Sequence, residues 1–423
     1  MMSAHSQSST VAALALAFAA SIATGATGAT GATSGAGVAQ APQQSQTPVF
    51  KSGVELVAVD VQVVDRDGRP TLSLGADQFQ VSIDGHRRQV VSANLVRYSQ
   101  SRPGAVQRIT QDESITPGAP RPQSGRLFIL AIDQLSFRMG AARAAAQAAR
   151  GFIDRLQPDD VVGLYVFPGS SNLNFTHERA SVRAALNKIV GLQNPVSSEF
   201  HLSISEVIDI TAADGFTLSK VVARECRPND PLCLQRVQGE AFQIGAMAEA
   251  QIALGFEGLS SLLNGLKYVP GRKTMVLISG GLLASDRGNG RPDMRARTQS
   301  LGREAAAANT NLYVVHMDTS FIDAYAPDRE KTDPTTQFRD SSVLRQGLEN
   351  LADAAGGAVF AVEAGTPDIA FDRVMRETSA YYLLGLEVTD TDRDGKPHFI
   401  TVDVRQHGTT VRNRPMVVIP KQK

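Results

Sequence analysis

Between residues 126 and 376 short apolar runs alternate with longer stretches of helical periodicity, and this alternation constrains the fold more than any other feature. Alternating strand and helix patterns are the signature of a parallel sheet with helices on its faces. The series opens with "RLFILAID", an uninterrupted apolar run ending at Asp133. Such a run suits a strand buried on both sides. "GAARAAAQAARGFIDRL" follows as a helix with Ala145, Ala149, Phe152, Ile153 and Leu156 on one face, stopped ahead of Pro158. "DDVVGLYVF" is the next strand, with "NLNFT" as a short partner, and "ASVRAALNKIV" is a helix. Residues 200–268 read as a mostly helical insertion that projects from the sheet. Then come a strand "RKTMVLISGG", a helix "TQSLGREAAAANT" and a strand "NLYVVHMD". The helix "SVLRQGLENLADAAGG" is closed by Gly356-Gly357, as C-cap chemistry prefers. "AVFAVE" and "DIAFDRVMRETS" complete the layer. The expected class is α/β, a doubly wound and mostly parallel sheet.

The flanks have a different period. Residues 50–98 carry alternating segments punctuated by Asp67-Gly68 and Asp84-Gly85, and residues 377–423 do the same. Asp-Gly between alternating segments signals a hairpin. Neither flank has enough strands to bury a core alone, so one β-sandwich built from both chain ends is expected, with 126–376 inserted into it. A hexapeptide, DRDG(R/K)P, occurs at Asp65–Pro70 and again at Asp392–Pro397. Neither copy has the glutamate that would complete a calcium loop, so both read as turns. Residues 99–125, rich in Pro, Gly and Ser, read as a linker. Residues 1–48 hold a short apolar core, roughly Thr10 to Ile22, followed by Gly/Ala/Thr repeats. That core is too short for a permanent membrane anchor and reads as a secretory signal, although only His5 supplies a basic character before it.

Composition removes whole classes of function. Forty-two basic residues balance 42 acidic ones, so no nucleic-acid footprint or polybasic membrane surface is implied. No tryptophan is present to stack on a sugar. The two cysteines, Cys226 and Cys233 in "ECRPNDPLC", have no histidine nearby to complete a zinc site. In an exported protein they read as a disulfide clip at a helix–helix corner.

Asp133 ends the first core strand, where open α/β sheets bind ligands. It is a candidate metal ligand, a candidate catalytic acid, or the cap of the helix that follows. The pieces "LFILAIDQLS", "LQPDDVVGLYVF", "VPGRKTMVLISGGL", "NLYVVHMD" and "LENLADAAGGAVF", in this order, resemble the von Willebrand factor type A (vWA) domain. With "YYLLGLEV" after the last helix and "VDRDGRP…ADQFQVSIDG" before the domain, residues 50 to 420 resemble the bacterial VWFA-related family of secreted proteins. The resemblance implies a doubly wound sheet. It also implies a site for Mg²⁺ or Ca²⁺ built on an Asp-x-Ser-x-Ser turn, completed by a Thr and a further Asp from later loops. Asp133 stands at the first of these positions, but Leu135 and Phe137 replace the two serines, and Ser136 lies one place off. Ser279-Gly280-Gly281 stands where the later Asp belongs, Asp286 is several residues further on, and only Ser203 and Ser205 suggest the Thr loop. The candidate metal set is therefore Asp133, Ser136 and Ser279, a degenerate site, with a divalent cation or no cofactor at all.

No G-x-S-x-G elbow, G-x-G-x-x-G, phosphate-binding GxxxxGK[ST] or H-E-x-x-H occurs. A hydrolase would have to be assembled from Asp133, His316 and Asp318. Arg272 and Lys273 before the fourth strand and Arg287 and Arg291 after it read as solvated charges, and the second pair could also form a basic rim that contacts a partner. The expectation is a secreted or periplasmic vWA-like binding protein, not an enzyme. It would recognise another protein or a cell-envelope component through loops at the C-terminal strand ends.

Overall fold

The computed structural model describes residues 56–98, 125–169, 172–193, 198–319, 333–362 and 367–421. The signal and low-complexity segment, and the linker apart from Gly125, lie outside the described residues. The strands in chain order are β1 (Val57–Val64), β2 (Phe79–Ile83), β3 (His86–Arg88), β4 (Val90–Arg97), β5 (Leu127–Asp133), β6 (Val161–Phe167) and β7 (Leu173–Thr176). They continue with β8 (Lys273–Ser279), β9 (Thr310–His316), β10 (Ala358–Ala361), β11 (Ala380–Leu386), β12 (Pro397–Val404), β13 (Thr410–Arg412) and β14 (Met416–Val418). The helices are α1 (Ala141–Asp154), α2 (Arg179–Leu186), α3 (Ile204–Thr211), α4 (Gly215–Glu225) and α5 (Cys233–Leu266), then α6 (Arg295–Ala307), α7 (Pro334–Ala354) and α8 (Asp368–Glu377).

The central sheet has the order β10-β9-β8-β5-β6-β7. Its pairs are parallel except for the short edge strand β7, which runs antiparallel to β6. Alternation along β5 assigns its two faces. Phe128, Leu130 and Ile132 join a core with α1 and α8, in which Phe152 meets Phe128 edge-on at 5.3 Å. Ile129 and Ala131 face the opposite core with α5, α6 and α7. The alanines of α1 let that helix lie close to the sheet, and Ala142, Ala145 and Ala149 are fully buried. Every residue of β8 and β9 is buried, as central parallel strands require.

Two four-stranded antiparallel sheets, β13-β1-β11-β4 and β14-β12-β2-β3, share a separate core that includes Val61, Ile83, Tyr382, Leu384 and Val402. Strands from both flanks of the central layer thus form one sandwich, because neither flank supplies a closed sheet pair alone.

This sandwich abuts the starts of the central strands. Arg414 Nη1 donates to Asn311 Oδ1 in β9 at 2.9 Å, and Tyr313 donates its hydroxyl to Gln62 Oε1 at 2.8 Å. Glu377, fully buried, takes Arg373 at 2.8 Å and Arg412 at 2.7 Å. Arg272 and Lys273, read from the sequence as solvated, are buried at this seam. For Arg272 the misreading has a simple cause: Tyr381 and Asp60, which lie against it, come from distant parts of the chain.

The insertion is helical, as its pattern indicates. α5 runs 34 residues, about 50 Å at the standard rise. Its second half buries Phe256, Leu259, Leu263 and Leu266 on the sheet. Its first half packs Val237 and Ala241 against Phe200, Ile210 and Val221 in a small core of its own. The Cys226–Cys233 disulfide closes the corner between α4 and α5, with Cα atoms 5.9 Å apart. The hexapeptide copies do different work. Asp65 Oδ1 accepts the backbone N–H groups of Asp67 and Arg69, each at 2.8 Å, and forms a local turn. Asp392 instead pairs with Arg88 across the second sandwich sheet at 2.6 Å.

Candidate functional site

Asp133, Ser279 and His316 occupy the last positions of β5, β8 and β9, three adjacent parallel strands. Ser279 is in register with His316, and Ile132 with Ile278, so the polar residues form a row along the sheet's C-terminal edge. From β5 the chain passes to β6 on one side, and from β8 to β9 on the other. That reversal is the switch point at which ligands bind in open α/β sheets.

The candidate metal residues do come together, but their oxygens are engaged with one another. Ser279 Oγ donates to Asp133 Oδ2 at 3.2 Å, and Asp133 Oδ1 accepts the Leu135 N–H at 3.1 Å. Ser136 Oγ donates to the Asp133 carbonyl at 2.9 Å and accepts the Gly280 N–H at 2.8 Å. Asp133 caps a single 3-10 turn, Gln134–Ser136, rather than the longer helix α1. Burial pushes its carboxyl up to about 6, against the pull of Ser279 and the Leu135 N–H. The residue keeps some accessible surface, but the carboxyl itself lies deep.

This donor set does not suit a hard divalent cation, which requires several convergent oxygens. Phe137, at one lost serine position, points into the core at 1% exposure. Asp286 is paired with Arg339 at 2.6 Å. Ser203 caps α3 in a reciprocal box with Glu206, and the Ser205 N–H donates to Asp340. Among the described residues no group of three or more His, Cys, Asp or Glu side chains converges on a metal position.

His316 is buried and its Nε2 lies 3.3 Å from the Gly280 carbonyl, while Nδ1 has no hydrogen-bond partner. With Nε2–H as the donor the ring is neutral, and burial lowers its affinity for a proton. Asp318 accepts the Ser341 hydroxyl. Asp133, His316 and Asp318 therefore each have partners of their own.

Several contributors to this rim were missed in the sequence. The Gln134 side-chain amide donates to the Val190 carbonyl at 2.7 Å, while the Gln134 backbone carbonyl accepts the Leu192 N–H at 2.8 Å. The segment after α2 is thereby pinned over the β5 turn. Gly280 approaches so closely that a Cβ there would meet the Ser136 carbonyl oxygen at 2.4 Å. "SGG" after a strand was the available signal.

The residues read as a basic rim are internally paired. Arg287 contacts Asp209 at 2.8 Å and Asp214 at 2.7 Å, and Arg291 contacts Glu249 at 2.9 Å. These bonds fasten the loop after β8 to α3, the start of α4 and α5. Both side chains remain partly exposed, at 40% and 46%.

Counted within the central layer, the strand order is 3-2-1-4-5-6. The central domain is a doubly wound α/β layer with one antiparallel edge strand. Comparison with family models gives no match, and comparison with curated proteins gives none. Among solved structures, an aerotolerance-related membrane protein from Bacteroides fragilis NCTC 9343 aligns over 60% of this chain and 98% of its own, at 13% identity and TM-score 0.28. The pilus adhesin SpaC from Lactobacillus rhamnosus GG, in an open conformation, aligns over 81% of this chain but only 41% of its own, at 9% identity and TM-score 0.34. The SpRpn10 VWA domain aligns over 59% of this chain and 93% of its own, at 10% identity and TM-score 0.26. Scores this low carry no functional argument. Strand order and sense define the fold.

Proposed function

We propose that this protein is an exported recognition module of the VWFA-related type. It would bind another protein or a cell-envelope component through the loops crowning its central sheet, without turnover and without a bridging cation. The observation that carries this reading is the closed hydrogen-bond circuit of Asp133, Ser136, Ser279 and Gly280 at the switch point. A closed circuit of this kind beneath the rim fixes the backbone of the loops above it, so that they can be presented as a rigid shape with little ordering cost on binding.

The rim supports the same reading. Met139 beside the β5 turn is 76% exposed, and Phe338 on α7 is 78% exposed. Arg287 and Arg291 are held in place by their ion pairs while part of each guanidinium faces solvent. Exposed apolar anchors beside oriented charges suit protein contacts. The disulfide suits an oxidising compartment. No helix among the described residues is long and apolar enough to cross a membrane.

Two measurements test the proposal. A photo-crosslinker placed at Met139 or Phe338 should give a discrete envelope-protein adduct, whereas one at exposed Phe399 on the sandwich should not. Equal labelling from all three positions would refute rim-directed recognition. Calorimetric titration of the full chain with Mg²⁺, Mn²⁺ and Ca²⁺ at millimolar concentration should give no saturable heat. Saturable binding abolished by Asp133→Ala would instead establish metal-dependent adhesion.

A further inference from the structure

Far from the rim, at the seam between sandwich and central sheet, two arginines converge on one carboxylate oxygen. Asp60 Oδ2, in β1, lies 3.4 Å from Arg414 Nη2 and 3.7 Å from Arg272 Nη1. The second distance is too long for a hydrogen bond. Both terminal nitrogens of Arg272 are buried without a hydrogen-bond acceptor, and the side chain is only 5% exposed. The face of this guanidinium is covered by the Tyr381 ring, with 4.8 Å between the Arg272 Cζ and the ring centroid. One face is thereby closed to a ligand, and the orphaned N–H groups point outward in the guanidinium plane.

The surroundings carry more positive than negative charge. Lys273, next in sequence, is buried with its ammonium held by the Val269 and Gly271 carbonyls. Its proton affinity falls to about 8, first through burial and then through repulsion from Arg414. Arg414 is itself lowered by burial, and Arg272 contributes to that lowering. Asp60 faces this group together with the hydroxyls of Tyr98 and Tyr381, both raised chiefly by burial. Arg414 has acceptors in Asn311 and Asp60, but the terminal nitrogens of Arg272 have none within hydrogen-bond reach, and a buried cation whose donors lack acceptors is costly.

We propose that the orphaned N–H groups of Arg272 hold a small inorganic anion of the halide class, ordinarily chloride, with Arg414 adding positive charge beside Asp60. The anion accepts the edge-on N–H groups of Arg272 and offsets the excess positive charge, fastening β1 and the C-terminal strands to the start of β8. A monatomic ion suits donors that are this deeply buried and closed on one face by the Tyr381 ring.

The test uses the full-length protein at constant ionic strength, with gluconate exchanged for chloride or bromide. The Tm should rise saturably with either halide, and the ³⁵Cl resonance should broaden in the presence of protein and sharpen when bromide competes. Arg272→Met should remove both effects, whereas Arg87→Met, on an exposed sandwich edge, should leave them intact. If Arg272→Met does not fold, bromide competition on the wild type still decides the matter. Superimposable melts in gluconate and chloride would overturn the proposal, as would broadening that bromide does not reverse or that Arg272→Met retains.

Discussion

Asp133 illustrates how one residue's environment sets its chemistry. Its carboxyl titrates near 6 instead of 3.8 because burial penalises the charge more than Ser279 and the Leu135 N–H stabilise it. The folded state therefore holds this proton more tightly than the unfolded chain does. Its contribution to stability is greatest below the ordinary carboxylate range and falls as pH rises from about 4 to 6, by at most roughly 3 kcal/mol. Asp133→Asn should remove that dependence. Denaturant unfolding should show the variant gaining stability relative to wild type between pH 4 and 7, with a constant difference above. His398 has a linkage of the same sign, reached by the opposite route, since here it is the charged form that is favoured. Its two ring nitrogens face Asp84 at 2.7 Å and Asp394 at 3.0 Å, and the Asp84 bond, followed by that of Asp394, raises its proton affinity against burial. That stabilisation is fully present below about pH 6.5 and is lost as pH rises through the higher folded value. His398→Asn should therefore destabilise more at pH 5 than at pH 9, as measured by thermal melts at both.

At the scale of elements, the insertion depends on its corner. The bridge between Cys226 and Cys233 closes a short loop, worth about 2.5 kcal/mol in the chain-entropy model. The Cys226→Ser/Cys233→Ser double variant should lose about that much, with hydrogen exchange accelerating in α4 and the first turns of α5 while the central strands stay protected. The loop after β8 has a different fastening. Arg287 joins it to Asp209 and Asp214. Arg287→Ala should raise amide exchange over residues 281–294 without changing global stability by more than about 1 kcal/mol. α7 shows what periodicity alone misses. Its buried apolar pattern becomes clear only near Val343, so the sequence reading begins at Ser342, yet the helix starts at Pro334. Asp333 sets that start by accepting the N–H groups of Thr335 and Thr336, and Pro334 suits the first helical position. Cap chemistry was present in "DPTT" but does not register as amphipathicity.

At the scale of the whole molecule, the seam couples sandwich and central domain. Glu377 sits fully buried between Arg373 and Arg412, one from α8 and the other from β13. Removing its charge leaves two guanidiniums facing a neutral amide, a loss of the class that costs about 3–5 kcal/mol. Glu377→Gln should lower stability by an amount in that range while retaining a single unfolding transition by both near- and far-ultraviolet circular dichroism. Two separated transitions would mean that sandwich and central layer fold independently.

The order of strands and helices was legible in the sequence because period and punctuation are local properties. Buried parallel strands are continuous apolar runs, sandwich strands alternate, and Gly or Asp-Gly marks where they turn. The place of Asp133 at the end of a core strand, and the loss of ligating side chains at Leu135 and Phe137, followed from the same string. Tertiary structure alone decided what those groups touch. Whether Ser136 and Ser279 could serve a cation depended on hydrogen bonds between residues more than a hundred positions apart. Arg272 was misread because charge on the string looks solvated until a distant strand covers it. Local sequence dictates backbone habit, but burial and pairing are properties of side chains meeting across the fold.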